Sequence, residues 1–163
     1  MVDANSEAVV SFEALVRWQH PSQGLLAPDR FIPVAEQIGV IVPLGSWALQ
    51  SACAQLIAWR AAAEMKDMTI AVNVSPRQFY RDDFVAEVVS ALEQTAVDPR
   101  LLKLEITESL LLHDLEDARN KVQLLREIGV RTSIDDFGTG YSSLGYLKNA
   151  PFDKIKIDQG FVR

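Results

Sequence analysis

Hydrophobic positions along the chain switch between a period of two and a period near 3.6, and the switch points delimit its elements. Runs rich in β-branched and aromatic residues predict five strands, at Val9 to Trp18, Thr69 to Ser75, Leu101 to Thr107, Arg131 to Asp136 and Lys154 to Asp158. Between them, apolar residues recur every three or four positions. Phe31, Val34, Ala35 and Ile38 share one helical face after Pro28, and Gly39 is placed to end that helix. A second helix is predicted from about Ser46, carrying Leu49, Ala52, Leu56 and Trp59. A third follows Asp82-Asp83 with Phe84, Val85, Val88, Val89 and Leu92 on its apolar side. A fourth runs from about Asp114 to Glu127, with Leu115, Ala118, Val122 and Leu125 inward, acids at its start and Gly129 past its end. Leu110 to Leu112 is assigned to the helical cover of the sheet. Strands alternating with helices are the pattern of βαβ units and a parallel sheet. No repeat or long linker interrupts it, so a single domain is expected over residues 1–163.

Splitting each strand by parity separates a greasy face from a polar one. Leu102, Leu104 and Ile106 oppose Lys103, Glu105 and Thr107; Ile155 and Ile157 oppose Lys154, Lys156 and Asp158. An open doubly wound sheet has both faces under helices and would read as apolar on both. A polar face fits a TIM-barrel-like interior instead, with Glu13, Asn73, Glu105, Asp135 and Lys156 near the mouth at the C-terminal strand ends. Carboxylates converging there repel one another unless a cation intervenes. The donors are oxygens, with no His or Cys among them, which selects Mg²⁺ or Mn²⁺ over zinc. Asp136 reaches a second ion if the backbone turns after Asp135. Two ions about 3.5 to 4 Å apart activate a water and stabilise the entering and leaving oxygens of a phosphoryl displacement. Lys156 is placed to orient or deprotonate that water, or to be the acids' ion-pair partner; Arg17 is placed to fork onto a phosphate, or to pair with an acid inside the barrel. Phosphodiester hydrolysis suits these parts.

Composition narrows the classes. Sixteen Lys plus Arg against 22 Asp plus Glu leave a net charge of −6, which argues against binding a nucleic-acid polymer. A hydrophobic share of 48% excludes disorder. The single Cys53 excludes a disulfide scaffold and reads as a packed core thiol. Apolar runs such as Gly39 to Leu44 fall short of the roughly 20 residues of a membrane span, and the acidic start has no signal-peptide layout, so a cytoplasmic protein is expected.

At these residues the chain resembles the EAL-domain phosphodiesterases of cyclic di-GMP. The motifs stand in family order: Glu13-Ala14-Leu15-Val16-Arg17, Pro28 to Glu36, Asn73-Val74-Ser75, Glu105-Ile106-Thr107-Glu108, Asp135-Asp136-Phe137-Gly138 onward to Leu144, and Lys156-Ile157-Asp158. The resemblance implies a two-metal hydrolysis of cyclic di-GMP to linear pGpG. In it, Glu13, Asn73, Glu105 and Asp135 bind one Mg²⁺ or Mn²⁺, Asp136 serves the second, and Glu13 and Lys156 are catalytic, Lys156 contacting the attacking water. By the same matching, Arg17 contacts a substrate phosphate and Glu108 anchors the loop from Asp136 to Leu144. A homodimer is implied, as is attachment to sensory or diguanylate-cyclase domains. It also implies an incomplete barrel, about five of eight strands, whose first strand with Tyr-Gln-Pro falls before Met1 and whose last two fall beyond Arg163. The other expectation is a catalytically incomplete module that binds cyclic di-GMP and signals.

Overall fold

The computed structural model describes residues 1–3, 7–111, 113–138, 152–157 and 160. Five parallel strands form one curled sheet in the order β1 (Ser11–Ala14), β4 (Thr69–Asn73), β5 (Leu102–Thr107), β6 (Arg131–Phe137), β7 (Lys154–Ile157), a half-barrel with helices on its convex side. All five strands lie where the alternation put them, with one difference. The first ends at Ala14, and Trp18–His20 (β2) instead pairs antiparallel with Gly24–Leu26 (β3). Gly24 closes this hairpin at φ 72°, a left-handed conformation that glycine adopts without a Cβ clash. Asp158, the expected end of the last strand, and Leu112 lie outside the described residues.

The helices follow local chemistry. After a 3₁₀ turn at Pro28–Arg30, α1 (Ile32–Ile38) stops at Gly39, φ 82°. Its expected inward face is only partly so: Phe31 and Ala35 are buried, whereas Val34 and Ile38 are exposed. The helix expected from Ser46 starts earlier, as α2 (Ile41–Trp59). Pro43 is tolerated there because it falls in the first turn, where backbone N–H groups have no intrahelical acceptor. By length and composition α2 is the one described helix apolar enough to cross a membrane. No single apolar run reveals this, because Ser46, Gln50, Ser51 and Gln55 punctuate it. In the fold, Leu49, Ala52, Cys53 and Leu56 are buried in the core, and the helix packs on β4 and α4 (Phe84–Thr95). Ser75 caps the short α3 (Pro76–Phe79) by accepting from Gln78 N–H at 3.2 Å. Glu108–Leu111 form α5, and Asp114 caps α6 (Leu115–Glu127) by accepting from Asp117 N–H at 3.0 Å.

The core lies between sheet and helices. Ile70, Val72, Leu102, Leu104, Ile106 and Ile134 meet Val88, Ala91, Ala118, Val122 and Leu125, all buried. At the sheet's two ends the outward apolar parity is not covered: Phe12 is half-exposed against Trp59, their rings 5.0 Å apart, and Ile155 and Ile157 are exposed. A close approach joins α2 to α3. A Cβ on Gly45 would collide with the Gln78 side chain, and Gln78 is buried. Gly45→Ala, which in an open helix would stabilise by roughly 0.5–1 kcal/mol, is therefore expected to cost about 1–3 kcal/mol in a urea melt.

Candidate functional site

Each strand of the sheet delivers one polar side chain to the concave face near its C-terminal end: Glu13 from β1, Asn73 from β4, Glu105 from β5, Asp135 from β6 and Lys156 from β7. Asn73 Nδ2 donates to Glu13 Oε1 at 2.8 Å. Lys156 Nζ is the hub, 2.6 Å from Glu105 Oε2, 3.0 Å from Asp135 Oδ2 and 3.6 Å from Glu13 Oε2. Oxygens of the three carboxylates lie within 4.8 Å of one another.

Burial gives this cluster its electrostatics. The Glu105 side chain is 1% exposed, and burial pushes its pKa up; Lys156 pulls it back, while Glu13 and Asp135 push it further up. For Lys156, burial opposes the charge, but the hydrogen bonds and charges of Glu105 and Asp135 outweigh it and hold the ammonium above the ordinary lysine value. Glu105 Oε1 is buried with no hydrogen-bond partner among the described residues. A buried carboxylate oxygen without a donor calls for a cation or water. This orphan, the clustered carboxylates and the oxygen-only donor set fit a hard divalent ion.

The Asp135-Asp136 pair is built by a bulge. Ile134 pairs with Ile155 and Phe137 with Ile157, so two residues of β6 face only Lys156 of β7. Asp136 takes up the extra residue at φ 54°, and its backbone N–H donates to Asp135 Oδ1 at 3.0 Å. Bulges re-aim side chains in this way. The backbone does turn after Asp135, yet the clustered carboxylates are those of Glu13, Glu105 and Asp135, and Asp136 is exposed beside them. Behind the bulge, the buried Glu108 carboxylate accepts from Gly138 N–H at 2.9 Å. Residues 139–144 of the loop assigned to Glu108 lie outside the described residues. Tyr80 steadies the end of α5, its hydroxyl donating to Leu110 O at 2.6 Å and accepting from Asp114 N–H at 3.1 Å.

Arg17 stands apart. It is exposed, lies beyond the end of β1 and donates to Val16 O at 2.8 Å, with no contact to the acids. A cavity of about 950 Å³ opens beside the cluster, walled by Glu13, Asn73 and Glu105 on the concave side and by Ala48, Trp59 and Ile70 on the helix-covered side. Ser75 and Thr107 also line it. Both stand in the motifs quoted from the sequence, two residues beyond Asn73 and Glu105, but no role was assigned to either there.

A curled parallel β/α sheet with oxygen ligands gathered at its C-terminal strand ends defines a TIM-barrel-like α/β domain with a candidate metal centre. The sequence model of the EAL domain matches residues 1–163, and the chain belongs to that family. It is 44% identical over 154 residues to the bifunctional diguanylate cyclase/cyclic di-GMP phosphodiesterase MucR of Pseudomonas aeruginosa, covering 94% of this chain and 22% of that protein. It is 46% identical over 154 residues to the cyclic di-GMP phosphodiesterase NbdA of the same organism, covering 94% and 20%. The chain thus spans about a fifth of the length of these relatives. Among solved structures, the PaMucR phosphodiesterase in complex with c-di-GMP superimposes with a TM-score of 0.87 at 45% identity, over 92% of this chain and 60% of that one.

Proposed function

We propose that this domain hydrolyses cyclic di-GMP to linear pGpG. The observation that carries the reading is the buried Glu105 with its unpartnered oxygen, set among Glu13 and Asp135 on adjoining strands of an EAL-family sheet. Glu13, Asn73, Glu105 and Asp135 are the residues that would hold one Mg²⁺ or Mn²⁺, with Asp136 toward a second. Such ions supply Lewis acidity to the phosphodiester and acidify water. The chain's own groups do the rest. Lys156, whose ammonium is held by hydrogen bonds to Glu105 and Asp135, is placed to orient water by donating to it and to offset charge. Arg17, exposed at the rim, is free to swing onto a phosphate oxygen, and its fork of donors suits that geometry. Glu108 holds the backbone after the Asp pair in place through Gly138. In the reaction, the water oxygen bonds to phosphorus, one P–O bond to ribose breaks, and the ribose oxygen leaves with a proton. On this reading the domain works in the cytoplasm, forms a homodimer and is attached to sensory or cyclase domains in a longer protein.

A second reading has one observation in its favour: Lys156 already bridges the three acids and offsets part of their charge, so the cluster is held together without an ion. The domain would then bind cyclic di-GMP and signal without cleaving it. Both readings meet in one assay, conversion of cyclic di-GMP to the linear dinucleotide with Mg²⁺ or Mn²⁺. Turnover that chelation and Glu13→Ala both remove is expected; saturable, metal-independent binding without turnover would replace the hydrolase with the binding module.

A further inference from the structure

The concave face carries a second charged layer, nearer the N-terminal ends of the same strands. The parity that directs Glu105 and Asp135 inward also directs Lys103 and Arg131 inward, two and four residues earlier. These two are register partners across β5 and β6, and Lys154 on β7, paired with Ser133, stands one inward position further along the strands. Adjoining this layer is a cavity of about 500 Å³ lined by Thr69, Asp67, Asp98, Arg100, Lys103 and Arg131 among others. That volume lies within the usual range of about 300–1,000 Å³ for small-molecule sites.

The layer's charges are only partly balanced among the described residues. Asp98 is committed to Arg100, with contacts of 2.7, 3.0 and 3.2 Å. Asp67 is exposed and makes no ion pair within 4.0 Å among the described residues. Nor do Lys103, Arg131 or Lys154. Lys103 Nζ instead reaches the neutral Ser11 Oγ, and Lys154 Nζ the neutral Met1 Sδ, each at 3.3 Å. Like charges opposed across strands destabilise a sheet, and among the described residues this pair is offset only in part, by the charge of Glu105 acting on Lys103 and that of Asp98 acting on Arg131. Fully solvated side chains would escape the repulsion, but Lys103 is partly buried where it lines the cavity.

We propose that this N-terminal mouth of the half-barrel binds a phosphate-class oxyanion, held by Lys103 and Arg131 with Lys154 completing the positive rim. A guanidinium fork and an ammonium converging from adjacent strands match an oxyanion's several acceptors. Among the described residues the wall holds no aromatic side chain on which a base would stack, so the recognised group is the phosphoryl itself. The site lies at the opposite strand ends from Glu13 and Asp135, and it stands whether or not the hydrolase reading does.

The test is a titration of the full chain with inorganic phosphate, pyrophosphate or GMP, followed by amide NMR shifts. Chelator is present and ionic strength is held with KCl. Saturable shifts at Lys103, Arg131 and Lys154 are expected with inorganic phosphate; tighter binding of GMP would identify a nucleotide's terminal phosphate as the source, and equal or weaker binding the free anion. Lys103→Met with Arg131→Met is expected to weaken binding by about tenfold or more. Lys103→Met alone separates the site from a structural ion pair. Removing an unbalanced charge raises the phosphate-free melting temperature by about a few degrees, whereas breaking a structural pair would lower it. No saturable response to any of the three anions, a response that survives the double substitution, or a lowered melting temperature for Lys103→Met would each overturn the proposal.

Discussion

Asp135→Asn is expected to remove turnover of cyclic di-GMP while leaving the fold in place. The substitution keeps the side chain's shape but takes away the charge that faces Lys156 Nζ at 3.0 Å and Glu105 across the cluster. Folding should tolerate it, because the Asp135 side chain is 23% exposed and because one of three mutually repelling carboxylates becomes neutral. Catalysis should not. A lost anionic ligand takes with it several kcal/mol of charge stabilisation in the transition state, and about 4 kcal/mol is roughly a thousandfold in rate. The measurement is kcat beside a Mn²⁺ titration of the same variant, with ion affinity and turnover expected to fall together. Turnover within a factor of a few of the unsubstituted domain would show that Asp135 is no ligand.

Lys156→Met should have the largest effect on stability in the absence of metal. Lys156 is the only cation within 4.0 Å of Glu13, Glu105 or Asp135 among the described residues. Without it a fully buried carboxylate loses its partner, a change that costs about 3–5 kcal/mol when one member of a buried pair is deleted. The loss should depend on pH in a definite direction. Burial already raises the Glu105 pKa from its ordinary 4.5, and losing Lys156 raises it further. A raised folded-state value means that stability is full below 4.5 and drains away as pH rises through the folded pKa. The variant's deficit should accordingly be small in mild acid and large at neutral pH and above. Urea melts in chelator at two pH values check this, and Mn²⁺ should return part of the loss at the higher pH. A deficit of the same size at both would mean that Lys156 contributes packing rather than charge.

How much of this was legible in the sequence depends on the range of the cause. Strand parity is local, so Glu13, Asn73, Glu105 and Lys156 were assignable to one face before any pairing was known. Capping is local too, and Gly39, Asp114 and Gly129 end or begin helices as their chemistry suggests. The β2–β3 hairpin was hidden because Leu15-Val16-Arg17-Trp18 continues a plausible alternation past the point where the strand stops. The start of α2 was hidden by Pro43 and Gly45, two residues that usually mark a helix boundary and here fall inside one. The part least legible was the Asp pair. A period of two sends Asp135 and Asp136 to opposite faces, and only the pairing of β6 with β7 reveals that both stand against Lys156. The hub position of Lys156 is likewise a product of register across three strands, which no window of sequence contains.

That local miscount has a consequence for how the chain can change. Removing one residue between Ile134 and Phe137 would restore an unbroken ladder and relieve the left-handed backbone at Asp136, making β6 a better strand. The same deletion would leave a single acid where there are two. Folding stability alone therefore pulls against the arrangement at this spot, as expected where a chain trades stability for a second acid.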